Sequence, residues 1–443
     1  MSEHPGRMTI LLYVEGAASI DRAPIAAHVL ACRACREAME ELQQVLRLVQ
    51  QSDVRGYVDA PDDDRALLRA ALLHEVDAAV ADRTAAEGVL DALREQPLAL
   101  WDWFLEEHPE HGTLGLALRV LQEAETELDR RPERALELTE IAERIAGRLP
   151  DVECRSTLGD AWKHRSNALR HLGRYDEALD AAHLAEAFYR SLTSGDFDAA
   201  QAQYTRAVTL FKMTRYAEAM TELRIAIGNL KPFGDTVPLA KAIMLEAAIR
   251  IEEGDVRSAQ ALWRAVFPLL QRFNEVVEQA RVLANLTECS LRLGDYDAAL
   301  YDAQRAVHRY RVLGMEVEAI RSEWTIAIIH LARGDADLGV RELTAVAAAF
   351  TARGMALDAA FVKLDLCEEL LRREEWESAE EAARELTVLF SAARVTIARA
   401  HAADFLRRAV ENRQATAEMV QYVRAYLLVD DPAQPFSPPA VRA

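Results

Sequence analysis

Residues 28–35 read HVLACRAC, one imidazole and two thiols in the order H-x3-C-x2-C. On a single helix His28, Cys32 and Cys35 fall at i, i+4 and i+7 and share a face within about 60°. Three such donors can converge on one ion at ~2.0–2.3 Å, which suits zinc, an ion that wants four ligands. The upstream residue of suitable type is His4, 24 residues before His28, with Glu15 a weaker candidate. We therefore expect one Zn2+ held by His28, Cys32, Cys35 and His4. Its role would be structural, because a segment of about 50 residues has too little core to fold securely without a staple. The competing reading is a pair of inert cysteines on a helix with His28 at the surface.

Other reactive side chains point away from catalysis. The stretch EEHPEHG (106–112) gathers His108 and His111 among Glu106, Glu107 and Glu110, and reads as an acidic inter-helix loop in preference to a metal site. His74-Glu75 opens an H-E-x-x pattern, but Ala78 stands where the second histidine of a zinc protease belongs. There is no G-x-x-x-x-G-K-[ST], G-x-S-x-G or G-x-G-x-x-G. Cys289 and Cys367 occupy small-residue slots and read as core packing. Cys154 is placed just before a helix, with no partner nearby in sequence. The chain is read as a non-enzyme.

Bulk properties narrow the partners. The 443 residues carry 52 basic and 72 acidic side chains, a formal charge of −20. That balance disfavours nucleic acid, whose binding rests on clustered positive charge, and disfavours an anionic membrane surface. No uninterrupted apolar run reaches the ~18 residues of a spanning helix. The start, MSEHPGRMTILLYVEG, lacks the pattern of a signal peptide. Five cysteines make no disulfide framework, so a cytoplasmic location is expected.

These residues need elements to position them. Residues 1–50 form the cysteine- and histidine-bearing module, 51–113 a linker with connecting helices, 114–427 a helical array, and 428–443 a proline-rich, disordered tail. Within the array six turns align: Gly173, Thr214, Gly254, Gly294, Gly334 and Glu374, the first step being 41 and the next four 40. Two residues on come Tyr175, Tyr216, Val256, Tyr296, Ala336 and Trp376; five on come Ala178, Ala219, Ala259, Ala299, Gly339 and Ala379. The physics is that of a stacked helical hairpin. A turn glycine tolerates positive φ and ends the first helix, and a small residue lets the second helix approach. One hairpin cannot bury its apolar face alone, so neighbours stack. Residues 114–150 read as a diverged first repeat and 394–427 as a terminal cap. Trp101, Trp103 and Phe104 are expected to seal the junction before the array.

The segment 161–185 resembles a tetratricopeptide repeat through Trp162, Ser166, Leu172, Gly173, Tyr175, Ala178 and Ala185. A later copy matches through Leu286, Thr287, Gly294, Tyr296, Ala299 and Ala306. The resemblance implies an all-α, right-handed superhelix of stacked hairpins over roughly 114–427, with a period of about 40 in place of the usual 34 or so. It also implies an inner groove that holds a peptide or helix. Lys163, Asn167 and Arg170 should line that groove, with Tyr204 and Trp324 in comparable slots, suiting an acidic, partly apolar ligand. Residues 11–42 resemble the zinc-binding anti-sigma factor domain, a small helical zinc-finger module. That resemblance carries the ligand role to His28, Cys32 and Cys35, with His4 as the upstream ligand, and implies a protein partner that is a sigma factor. The alternative is a scaffold or adaptor for a multiprotein complex, its zinc module structural or vestigial.

Overall fold

The computed structural model describes residues 78, 81–192, 195–234, 236–392, 397–428 and 436–437. The zinc ligands expected from sequence, His4, His28, Cys32 and Cys35, lie outside the described residues. The described residues are helical throughout, with no strand among them, and no helix among them is long and apolar enough to cross a membrane. They divide into two compact units at Gly254.

The first unit contains α1 (81–94), α2 (Trp101–Glu107), α3 (Leu114–Glu127), α4 (Pro132–Ala146), α5 (Asp151–His171), α6 (Tyr175–Arg190), α7 (Asp196–Lys212), α8 (Tyr216–Leu230) and α9 (Val237–Glu252). From α3 onward each helix packs on the next, and the first helices of successive hairpins, α5, α7 and α9, also touch in sequence. The diverged first repeat is the α3–α4 hairpin. Trp101 is fully buried in the core with Leu116, Val120 and Ile141, which seals the base of the array as expected. Trp103 departs from that expectation and is 60% exposed. Cys154 also sits differently: Pro150 starts α5 early, so Cys154 lies inside the helix, half-buried.

The second unit contains α10 (Val256–Arg272), α11 (Val276–Arg292), α12 (Tyr296–Val312), α13 (Glu316–Arg333), α14 (Ala336–Ala352), α15 (Ala356–Arg372), α16 (Trp376–Ala392), α17 (Ile397–Glu411) and α18 (Ala417–Leu428). Here too consecutive helices pair, and α18 folds back against α15. Val420, Val423 and Leu427 of α18 join the largest apolar core of this unit, each such side chain contributing about 1.5–3 kcal/mol. Cys289 and Cys367 are fully buried, and burial pushes their thiols up to about 11 and about 12.

The aligned turns behave as the spacing predicts. Gly173, Gly254, Gly294 and Gly334 have φ of +72°, +84°, +76° and +90°. At Gly294 the amide of Asp295 reaches back to Ser290 O (2.9 Å), closing a Schellman-type end. Ala178, Ala219, Ala299 and Ala379 are fully buried at the crossing. At Gly339 a Cβ would lie 2.3 Å from Leu331 Cδ2, so α13 and α14 approach more closely than alanine permits. Ser166 Oγ donates to Ala178 O at 2.7 Å, tying the helices of one hairpin together. The structure adds a second register. Gly234, Asn274, Gly314 and Gly354, in the turns between hairpins, also have positive φ, so from Thr214 to Glu374 a left-handed residue recurs every 20 positions.

Candidate partner-binding face

Lys163, Asn167 and Arg170 stand on one face of α5, spaced four and three apart. Lys163 Nζ lies 3.3 Å from Asp160 Oδ1 and 5.8 Å from the centre of the Tyr189 ring. Asp160 also accepts from Tyr189 Oη at 2.7 Å. Burial alone would raise the Asp160 carboxyl, but Lys163 and the tyrosine hydroxyl hold it below its ordinary value.

Arg170 has no such compensation. Its Nη2 donates to Asn167 Oδ1 at 3.0 Å, while its Nε is buried without a hydrogen-bond partner. Burial lowers its pKa from the ordinary arginine value, offset only by Tyr204, Tyr175 and Asp129. Among the described residues no carboxylate forms an ion pair with it. The histidines of this face respond to the same conditions. Burial and the adjacent Lys163 hold His164 below its ordinary value, and burial with Arg170 holds His171 below. Apolar groups complete the surroundings: Tyr204, Val208 and Phe211 of α7 are half-buried against the α7–α9 core. Two basic side chains, Lys163 paired with Asp160 and Arg170 without an ion pair, therefore stand beside apolar groups on a chain of formal charge −20.

Arg206, also on α7, shows what satisfaction looks like. It is 6% exposed and paired with Glu186 of α6 and with Glu222 of α8 (2.6 Å). Gln203 donates to Glu186 at 2.8 Å and accepts from Asn229 at 2.9 Å. Burial opposes both charges, yet the pairing keeps Arg206 above and Glu186 below their ordinary values.

Trp324 belongs to the second unit, where its indole N–H donates to Asp365 Oδ2 at 2.7 Å and its ring meets Phe350 edge-on. Asp365 is 8% exposed and also pairs with Arg424 of α18. Glu368, one turn on, takes Arg372 and the amide of Gln421 (2.8 Å). Burial pushes the Asp365 carboxyl up, against the pull of Arg424. Trp324 is thus engaged inside the fold.

Sequence reasoning missed one surface of the second unit, a groove of about 550 Å³ lined by Val276, Tyr301, Arg305, His308, Arg309 and Val312. Arg305 and Arg309 lie over the Phe267 ring at 5.4 and 5.9 Å. The signal was available: Tyr301, Arg305, Arg309 and Val312 recur at helical spacing on α12, and Tyr301 and Val312 are 62% and 74% exposed.

No family model and no curated protein matches the chain. Among solved structures, a signal transduction ATPase with numerous domains and a tetratricopeptide repeat sensor, from Pyrococcus horikoshii, is similar at a TM-score of 0.56 and 12% identity. That similarity covers 78% of this chain and 52% of that one. Aspartyl phosphate phosphatase F from Bacillus subtilis is similar at 0.49 and 12%, covering 89% of this chain and 96% of that one. The apo quorum sensor NprR from B. thuringiensis is similar at 0.41 and 12%, covering 71% and 99%. With the hairpin geometry above, the first of these likenesses defines the class: the chain has a tetratricopeptide-type helical repeat fold.

Proposed function

We propose that this protein is a non-catalytic regulatory binding protein whose α5–α7 face takes a carboxylate-bearing, partly apolar peptide or helix from a partner protein. The observation that carries the reading is Arg170, a half-buried guanidinium whose Nε is buried without a hydrogen-bond partner and which forms no ion pair among the described residues. An incoming carboxylate would meet a donor fork suited to bidentate pairing, at a place already desolvated. Lys163 and Asn167 supply further donors, and Tyr204 with Phe211 supplies apolar contact. The test is capture from a degenerate peptide library on the immobilised full chain. Enrichment of Asp or Glu flanked by apolar residues is expected on the wild type and not on Arg170→Gln. Equal enrichment on both would remove Arg170 from the site.

Within this reading the N-terminal segment holds one Zn2+ through His28, Cys32, Cys35 and His4 and engages a sigma factor, while the array receives a second partner. Support comes from the order and spacing of an imidazole and two thiols, a donor set that fits zinc. Co-purification of a sigma factor with the full chain is expected, weakened in the Cys32→Ser/Cys35→Ser variant. Unchanged recovery in that variant would leave the protein as a scaffold with a vestigial module.

A further inference from the structure

The loop between α2 and α3 brings together three metal-binding donors that the sequence alone placed in an acidic loop. His108, Glu110 and His111 each offer one ligand atom, and all three atoms lie within 4.8 Å of one another. His108 Nδ1 is 3.3 Å from Glu110 Oε1, and His111 Nε2 is 4.0 Å from the same oxygen. Ligands bound at ~2.0–2.1 Å around a tetrahedral zinc stand about 3.4 Å apart. The first separation already has that value, and the second needs to close by less than an ångström. The side chains are 48%, 63% and 36% exposed, so an ion can reach them from solvent.

The carriers are fixed even though the donors are open. Pro109 starts a short 3-10 turn over Pro109–His111. His111 N donates to His108 O and Gly112 N to Pro109 O, both at 3.1 Å. Thr113 then caps α3, accepting from the amide of Leu116. Arg148, two residues past the end of α4, reaches across to donate to Leu105 O at 2.5 Å. Phe104, partly buried in the core of the first unit, holds both imidazoles: its ring lies parallel to His111 at 5.7 Å and tilted on His108 at 4.7 Å. An aromatic ring rooted in the core thus limits the orientations open to the two imidazoles.

We propose that His108, Glu110 and His111 form a surface site for a borderline divalent cation such as Zn2+, distinct from the thiol-containing N-terminal segment. Two imidazoles and one carboxylate are a donor set that zinc takes with an open fourth position for water or a partner's donor. Bound there, the ion staples the turn that joins α2 to α3.

The two zinc-binding segments can be separated in the full-length protein by equilibrium dialysis against Zn2+ with elemental analysis. Measurements are made on the wild type, His108→Ala/His111→Ala, Cys32→Ser/Cys35→Ser and all four changes combined. The histidine variant is expected to lose one equivalent of zinc whether or not the thiols are present. Glu110→Gln should weaken that equivalent by on the order of tenfold. With Co2+ as probe, the equivalent that remains in the thiol variant should give d–d bands without thiolate charge-transfer absorption. Because the histidines are exposed, circular dichroism of their variant should match the wild type. Identical zinc content with and without the two histidines, in the wild-type and thiol-variant backgrounds, would overturn the proposal.

Discussion

The repeat makes two surfaces equivalent that the protein treats in opposite ways. Counted back from their turns, Lys163, Tyr204 and Trp324 all stand ten residues before Gly173, Thr214 and Gly334, and Asn167 and Glu368 both stand six before Gly173 and Glu374. In the second unit this register is closed from within. Trp324 and Arg424 both engage Asp365, and Gln421 and Arg372 both engage Glu368. In the first unit Lys163 pairs with Asp160, while Arg170, half-buried beside Asn167, forms no ion pair among the described residues. Burying a charge costs free energy unless it is paired. An incoming carboxylate at Arg170 would offset part of that cost.

The largest way to break this comparison is Arg424→Ala. It strands Asp365 with the indole as its remaining donor and should cost the second unit ~3 kcal/mol. Hydrogen exchange of the α15 and α18 amides reads it. A cost below about 1 kcal/mol would mean that α18 does not close the face. Arg206→Ala should cost about 2 kcal/mol in the first unit, since it leaves Glu222 without its partner while Glu186 keeps Arg190 and Gln203. Trp324→Phe keeps the ring packing and removes one donor to Asp365. It should cost about 1–2 kcal/mol by the same exchange measurement.

Acid sharpens the contrast between the paired networks. Glu186 is held below its ordinary value, so its stabilising contribution is present above the unfolded pKa and is lost as pH falls through the folded one. Asp365 is pushed up, so its contribution is full below the unfolded pKa and is lost as pH rises through the folded one. On acidification through the carboxylate range, protection corrected for intrinsic exchange should therefore fall around α7 and rise around α15. Glu186→Gln should flatten the first trend and Asp365→Asn the second.

The hairpins were legible because turns and crossings leave one-residue signatures. Gly173, Gly294 and Gly334 mark the left-handed turns, and Ala178 or Gly339 marks a crossing too tight for a larger side chain. The second register was equally readable, since Gly314 and Gly354 lie 40 apart, but Asn274 stands in for glycine there and the residues around it carry no tyrosine or alanine pattern. Lys163, Asn167, Arg170 and Tyr204 were found by register. That Arg170 forms no ion pair among the described residues was not, because pairing is decided between helices: Arg206 meets Glu186 across 20 residues, and Arg424 meets Asp365 across 59. In sequence Arg170 and Arg206 look alike. The His108–Glu110–His111 cluster was visible as composition, but its geometry depends on Pro109 and the distant hold of Phe104.

The smallest expected effect on stability accompanies the largest on function. Arg170→Gln removes a half-buried charge that has no ion pair and should leave unfolding within about 0.5 kcal/mol of the wild type, or slightly improved. The direct measurement is fluorescence anisotropy of the best captured acidic peptide against wild type and Arg170→Gln, with urea unfolding of the same samples. Binding weakened by on the order of 30-fold or more with unchanged unfolding is the predicted result. Undiminished binding, or a variant whose unfolding is compromised as severely as that of Arg206→Ala, would contradict it.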